Sequence, residues 1–99
     1  MINLNLKTPY DHLNHDELIC IANNCKKCSL HLERNNVVFC SGNPHSNLMV
    51  IGEGPGQQED ETGLPFVGRS GQLLTKMLAS VDIHRDDIYI ANTVKCRPP

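Results

Sequence analysis

Two of the five cysteines in this 99-residue chain, Cys25 and Cys28, are separated by two residues. That spacing lets both sulfurs reach one centre, so the pair is half of a metal or cluster site. A third thiol, Cys96, lies far along the chain between Lys95 and Arg97. A tetrahedral zinc or a four-iron cluster needs a fourth ligand, and the candidates are Cys20, Cys40, His12, His15, His31 and His45. Cys20 and Cys40 read more simply as small buried hydrophobes, and histidines in polar stretches as solvated. A second constellation is a glycine loop, Gly52-Glu53-Gly54-Pro55-Gly56, followed by Glu59, Asp60 and Glu61. Glycine lets backbone approach a ligand closely, and carboxylates beside it can steer a water or a developing cation. Gln57 stands where a dinucleotide-binding turn needs its third glycine, and no Gly-Lys-Ser/Thr follows, so neither phosphate-cradling motif is present. The open alternatives are a loop that touches a ligand and a loop that only turns the chain under solvated acids.

These residues need elements to place them. Over residues 16–24, Leu18, Ile19, Ala22 and Cys20 make an apolar stripe, with Asn14 as N-cap and acids in the first turn, which predicts a short helix. Residues 29–36 are polar and predict a turn or short helical piece, and 37–40 a short edge strand. Ser41-Gly42-Asn43-Pro44 is turn chemistry, and the uninterrupted apolar run 48–51 predicts a strand covered on both faces. Residues 52–68 read as one long loop. Leu73, Leu74, Met77, Leu78 and Val81 recur at helical spacing, so residues 70–81 predict a helix packed back on that strand, and 88–91 a second strand. Strand, helix, strand implies a right-handed parallel βαβ unit, whose ligands sit at the carboxyl ends of the strands, here 52–56 and 92–96.

Nine Lys plus Arg against eleven Asp plus Glu give a net charge of −2, which is no basic nucleic-acid footprint. With 39% hydrophobic residues the chain can build one core, although a domain this size buries only about 60–65% of its unfolded surface. No apolar run approaches the ~20 residues of a membrane span, and residues 1–10 lack the apolar stretch of a signal peptide. The expectation is a cytoplasmic protein with reduced thiols and no membrane partner.

The ordered strings Gly52-Glu-Gly-Pro-Gly-Gln-Gln-Glu-Asp60, Gly63-Leu-Pro-Phe-Val-Gly68, Gly71-Gln-Leu-Leu74 and Tyr89-Ile-Ala-Asn-Thr-Val-Lys-Cys-Arg-Pro-Pro99 resemble the iron–sulfur family 4 enzymes of the uracil-DNA glycosylase superfamily. Cys25-x-x-Cys28-x-Leu30 and Arg34 match the family's opening as well. The resemblance implies an α/β fold, three-layer αβα around a parallel central sheet, with residues 1–99 as the N-terminal part of one domain: a βαβ unit plus an N-terminal helix. It implies base-excision repair, in which the N-glycosidic bond of a flipped-out deoxyuridine is hydrolysed and uracil released. Glu53 would place the attacking water or support the cationic sugar, and Glu59 would lie near the same water. Phe66 would stack on the base, Asn92 would read its hydrogen-bonding edge, and the wall that includes Gly54 and Gly56 would exclude the thymine methyl. Cys25, Cys28 and Cys96 would be ligands of a structural 4Fe-4S cluster, with zinc as the alternative metal. The partner would be uracil-containing DNA and the complete enzyme a monomer.

In the family a fourth cysteine and a uracil-contacting histidine motif follow the Lys95–Pro99 segment, and this chain has neither. The expectation is therefore an N-terminal half, inactive or nearly so by itself. Two other classes remain open: a non-catalytic glycosylase-like or polymerase-associated module, and a small zinc-binding α/β module.

Overall fold

A computed structural model describes residues 8–99, so the absence of a signal-like stretch over 1–10 falls mostly outside the described residues. Helix α1 spans His15–Asn23. It starts where the sequence predicts, because Asn14 accepts from the Glu17 N–H while the Glu17 carboxylate accepts from the Asn14 N–H. A 3₁₀ turn, Ser29–Leu32, follows the paired cysteines. Strands β1 (Cys40–Gly42), β2 (Met49–Gly52) and β3 (Tyr89–Asn92) form one sheet in the order β1-β3-β2.

The parallel β2–β3 pair is as predicted, with Gly52 opposite Asn92. β1 adds an antiparallel edge, so the sheet is mixed, and it begins later than the predicted strand over 37–40. Val38 instead bonds through its N–H to the Lys95 carbonyl at 2.8 Å, which ties the segment before β1 to the one after β3. Ser41 and Gly42 lie in the strand rather than in the predicted turn. Gly42 has φ +86°, and a Cβ there would collide with the Ile88 carbonyl.

Residues 52–68 are not a single loop. Helix α2 spans Gln57–Thr62, begun by the Glu59 carboxylate accepting from the Gly56 N–H and ended by left-handed Gly63 at φ +78°. Helix α3 spans Arg69–Ala79, and a second 3₁₀ turn, Arg85–Asp87, leads into β3.

The core is Val38 with Ile88, Tyr89, Ile90 and Ala91, so β3 is buried along its whole length. β2 is not covered on both faces as its apolar run predicts: Met49 is 52% and Ile51 60% exposed. α3 does not pack back on β2 as predicted: it meets the Arg85–Asp87 turn, and of its stripe Leu74 and Leu78 are half-buried while Leu73, Met77 and Val81 are exposed. Cys20 is exposed, against the expectation of a buried thiol. α1 is fastened to the sheet where His15 Nε2 lies 2.9 Å from the Tyr89 hydroxyl. Burial, then the hydrogen bond with Cys40, pushes the Tyr89 pKa up. No helix among the described residues is long and apolar enough to cross a membrane.

Candidate functional site

The register that places Gly52 opposite Asn92 builds the floor of a cavity at the carboxyl ends of β2 and β3. Beyond the last ladder pair the strands stay zipped, because Thr93 N–H bonds to the Gly52 carbonyl and Val94 N–H to the Glu53 carbonyl, each at 3.0 Å. Asn92 is 4% exposed, and its amide has no hydrogen-bond partner among the described residues. A Cβ on Gly52 would collide with Asn92 Oδ1 and with the Phe66 ring, so the missing side chain is what lets amide and ring converge. Gly54, Pro55, Gly56, Glu59, Phe66, Ser70 and Asn92 line the resulting cavity of about 260 Å³.

The aromatic wall depends on an uncommon backbone. Phe66 has φ +54°, a conformation that costs an L residue about 1–3 kcal/mol and persists only where its surroundings fix it. Directly after it, Val67 and Gly68 donate their N–H groups to Glu59 Oε2 at 2.9 and 2.6 Å, and Gly56 donates to Oε1 at 3.0 Å. Glu59 thus joins the glycine loop to the Phe66 loop. Burial would raise its pKa, but the N–H groups of Gly68, Val67 and Gly56 outweigh that and hold it below its ordinary value.

Asp60, the next residue, is 1% exposed and faces the opposite way. Its carboxylate accepts from Asn35 N–H at 2.9 Å, Asn35 Nδ2 at 2.7 Å and Asn36 N–H at 3.3 Å, while Asn36 Nδ2 returns a bond to the Asp60 carbonyl. Burial again pushes the pKa up, yet the Asn35 and Asn36 donors and the charge of Arg97 bring it below the ordinary value. The acid run is therefore not a solvated face: Glu59 and Asp60 are anchors pointing to two different segments.

Of the residues singled out in the sequence, the fold brings Gly54, Gly56, Glu59, Phe66 and Asn92 around one cavity. Glu53 does not line it. Its side chain is exposed at the rim, and its carbonyl accepts from Val94 N–H and Thr93 Oγ1. Pro55, part of the glycine loop, lines the cavity too, and so does Ser70, which no motif in the sequence marks. Asp60 and Arg85 also carry site-building bonds that no local pattern announces.

The thiols lie elsewhere. Cys25 and Cys96 border an apolar cavity of about 280 Å³ with Tyr10, Leu18, Ile21, Ala22, Val37 and the lysines Lys27 and Lys95. Arg34 bridges them, its Nη1 donating to the Cys25 carbonyl at 2.6 Å and lying 3.4 Å from Cys96 Sγ. Cys28 is exposed and does not line this cavity. Among the described residues no three His, Cys, Asp or Glu side chains are arranged to hold a metal ion. The donor chemistry suits a soft metal or cluster, but the geometry gathers two thiols and leaves the third outside.

Comparison with known proteins identifies the family. The family model of the uracil DNA glycosylase superfamily matches residues 39–99. The chain is 56% identical over 75 residues to a type-4 uracil-DNA glycosylase of Thermotoga maritima, an alignment covering 76% of this chain and 39% of the relative. It is 46% identical over 84 residues to that of Archaeoglobus fulgidus (85% and 42%) and 49% identical over 79 residues to that of Pyrobaculum aerophilum (80% and 40%). The chain thus spans about two-fifths of the length of these curated relatives. Its glycine loop, its Phe66 wall and the strand that carries Asn92 all fall within the matched residues, and the chain belongs to the uracil DNA glycosylase superfamily.

Proposed function

We propose that residues 1–99 form the N-terminal, base-recognising part of a single uracil-DNA glycosylase domain. Its reaction is hydrolysis of the N-glycosidic bond of a flipped-out deoxyuridine in DNA, releasing uracil during base-excision repair. The observation that carries the proposal is the convergence of the buried Asn92 amide, the Phe66 ring and the Gly54–Gly56 backbone on one cavity of about 260 Å³. That volume lies below the range of drug-sized pockets, as suits one base.

Each wall has a distinct task. Phe66 supplies a π face on which any base can stack, for about 1–3 kcal/mol, and so gives affinity without selection. Asn92 can accept from uracil N3–H and donate to O4, whereas cytosine presents the reverse pair. A buried site built for such bonds can reject the wrong partner by ~10⁴–10⁵, because its polar groups are then left unpaired. Gly54, Pro55 and Gly56 close the side at which a C5 methyl would enter. Glu53, whose carboxylate has no hydrogen-bond partner among the described residues, is the acid available to a water or to the cationic sugar. Glu59 has its oxygens occupied by three backbone donors and serves the site by holding its walls.

Cys25, Cys28 and Cys96 would hold a structural iron–sulfur cluster, with zinc as the alternative, and the remaining ligand would come from outside the chain. Through these thiols the N-terminal segment would be stapled to the tail of β3, a structural contribution outside bond cleavage. The type-4 names of the relatives and the meeting of Cys25 and Cys96 across one apolar cavity support this assignment.

Titration of the chain with deoxyuridine, thymidine and deoxycytidine, followed through the Asn92 side-chain NH₂ resonance, tests the proposal. A saturable shift with deoxyuridine alone is expected. Equal responses to deoxyuridine and deoxycytidine, or none to deoxyuridine, would overturn it.

A further inference from the structure

The segment that carries Phe66 is held at both ends by groups of opposite charge. On the amide side the Glu59 carboxylate takes the N–H groups of Val67 and Gly68. On the carbonyl side the Arg85 guanidinium reaches across from the 3₁₀ turn before β3. Its Nη1 donates to the Phe66 carbonyl at 2.8 Å and its Nη2 to the Pro65 carbonyl at 2.9 Å, while Nη1 is also 2.9 Å from Thr75 Oγ1 on α3. The Phe66 carbonyl and the Val67 N–H belong to one peptide group and point in opposite directions, so the plane between these residues is pinned from both sides. Gly71 closes the third side: a Cβ there would run into the Phe66 carbonyl. Such bracing is what a non-glycine residue at φ +54° requires.

We propose that Arg85 is a positioning residue for base stacking: its two-pronged hydrogen bond to the Pro65 and Phe66 carbonyls holds the Phe66 ring against the cavity that Asn92 floors. The inference rests on the reading of that cavity as a base-binding site. Arg85 does not line the cavity and touches no base; it acts through the Phe66 backbone. A guanidinium suits the task because its planar fork meets two carbonyls at once while a third donor direction remains for Thr75. A lysine in its place offers its three donors from one rotatable nitrogen and no planar fork, which leaves the peptide plane freer to turn. The fork also links three elements that the site needs in register, namely the Phe66 loop, α3 and the approach to β3.

The chain holds two phenylalanines, Phe39 and Phe66. Incorporation of 4-fluorophenylalanine therefore gives two ¹⁹F signals, assigned with Phe39→Leu, one of which reports the ring in question and the other the fold around β1. In Arg85→Lys, and in Thr75→Val, which removes the bond that orients the guanidinium, the Phe66 signal is expected to shift and broaden while the Phe39 signal stays in place. In a deoxyuridine titration Arg85→Lys should bind about tenfold more weakly. A Phe66 signal unchanged in both variants, or undiminished deoxyuridine binding in Arg85→Lys, overturns the proposal. Loss of both signals in Arg85→Lys, with Thr75→Val native-like and unshifted, overturns it too, since Arg85 would then support the fold as a whole. If the variants move Phe66 but deoxyuridine leaves the wild-type signal unmoved, Arg85 still positions the ring and it is the base-binding reading that fails.

Discussion

The base cavity and the thiol cavity are built from neighbouring stretches of the same chain and are held together in opposite ways. Around the base cavity each wall is bonded to another by a side chain reaching a backbone: Glu59 to Gly56, Val67 and Gly68, and Arg85 to Pro65 and Phe66. Around the thiols Arg34 touches the Cys25 carbonyl and Cys96 Sγ, while His31 meets the carbonyl of nearby Cys28 and Lys95 that of Phe39, and Cys28 stays outside the cavity. A recognition site has to exist before its ligand arrives, since walls that collapse between encounters would have to be rebuilt from binding energy. A cluster site has no such need, because metal–thiolate bonds themselves supply the ordering.

That contrast can be broken most forcefully at Asp60, which ties Asn35 and Asn36, the segment downstream of the thiols, to α2 in the cavity wall. Asp60→Ala leaves three part-buried donors of Asn35 and Asn36 without their acceptor and should lower stability by about 2–3 kcal/mol in urea denaturation, with both regions lost together. A change under about 1 kcal/mol would show the two regions to be independent. Glu59→Ala should cost about 2 kcal/mol and abolish the deoxyuridine response while leaving zinc or cobalt uptake by the thiols intact. Parallel loss of metal uptake would contradict separate assembly. Addition of Zn²⁺ to reduced protein should stabilise by about 1.4 kcal/mol at ten times its Kd. That gain should vanish in Cys96→Ser, and the Phe66 fluorine signal should not move. The smallest effect near neutrality is that of pH. Glu59 and Asp60 titrate below their ordinary values in the folded chain, so the folded state binds fewer protons than the unfolded one. Their contribution is complete above about pH 4–5 and is lost as pH falls through the lowered folded values. Acid denaturation of Asp60→Asn should show a shallower loss over that range, and an unchanged acid limb would assign it to other carboxyls.

The sequence made some of this legible and hid the rest for identifiable reasons. α1 could be read because Asn14 and Glu17 form their cap within four residues. The β2–β3 pair could be read because strands lacking polar alternation, joined by a helix, admit few topologies. Gly54, Gly56, Phe66 and Asn92 could be picked out by resemblance, and the fold brings them to one place. Helix α2 was hidden because Gln57–Thr62 has no apolar periodicity, although its glycine boundaries and the glutamate in its first turn were on view. The uncovered faces of β2 and α3 were hidden because an apolar pattern says which residues want cover and not whether cover is present. Asp60 and Arg85 were hidden most deeply: their partners lie 24–25 and 19–20 residues away, so their roles exist only once the chain has closed.

Gly52 and Asn92 are partners in the sheet as well as neighbours in the cavity. The floor of the cavity therefore shares the fate of the β2–β3 ladder: what keeps those two strands in register also keeps Asn92 beside Gly52. The Phe66 wall rests instead on side-chain bonds from Glu59 and Arg85. Floor and wall are thereby separable by mutation: a change at Glu59 or Arg85 reaches the wall and leaves the ladder beneath Asn92 in place.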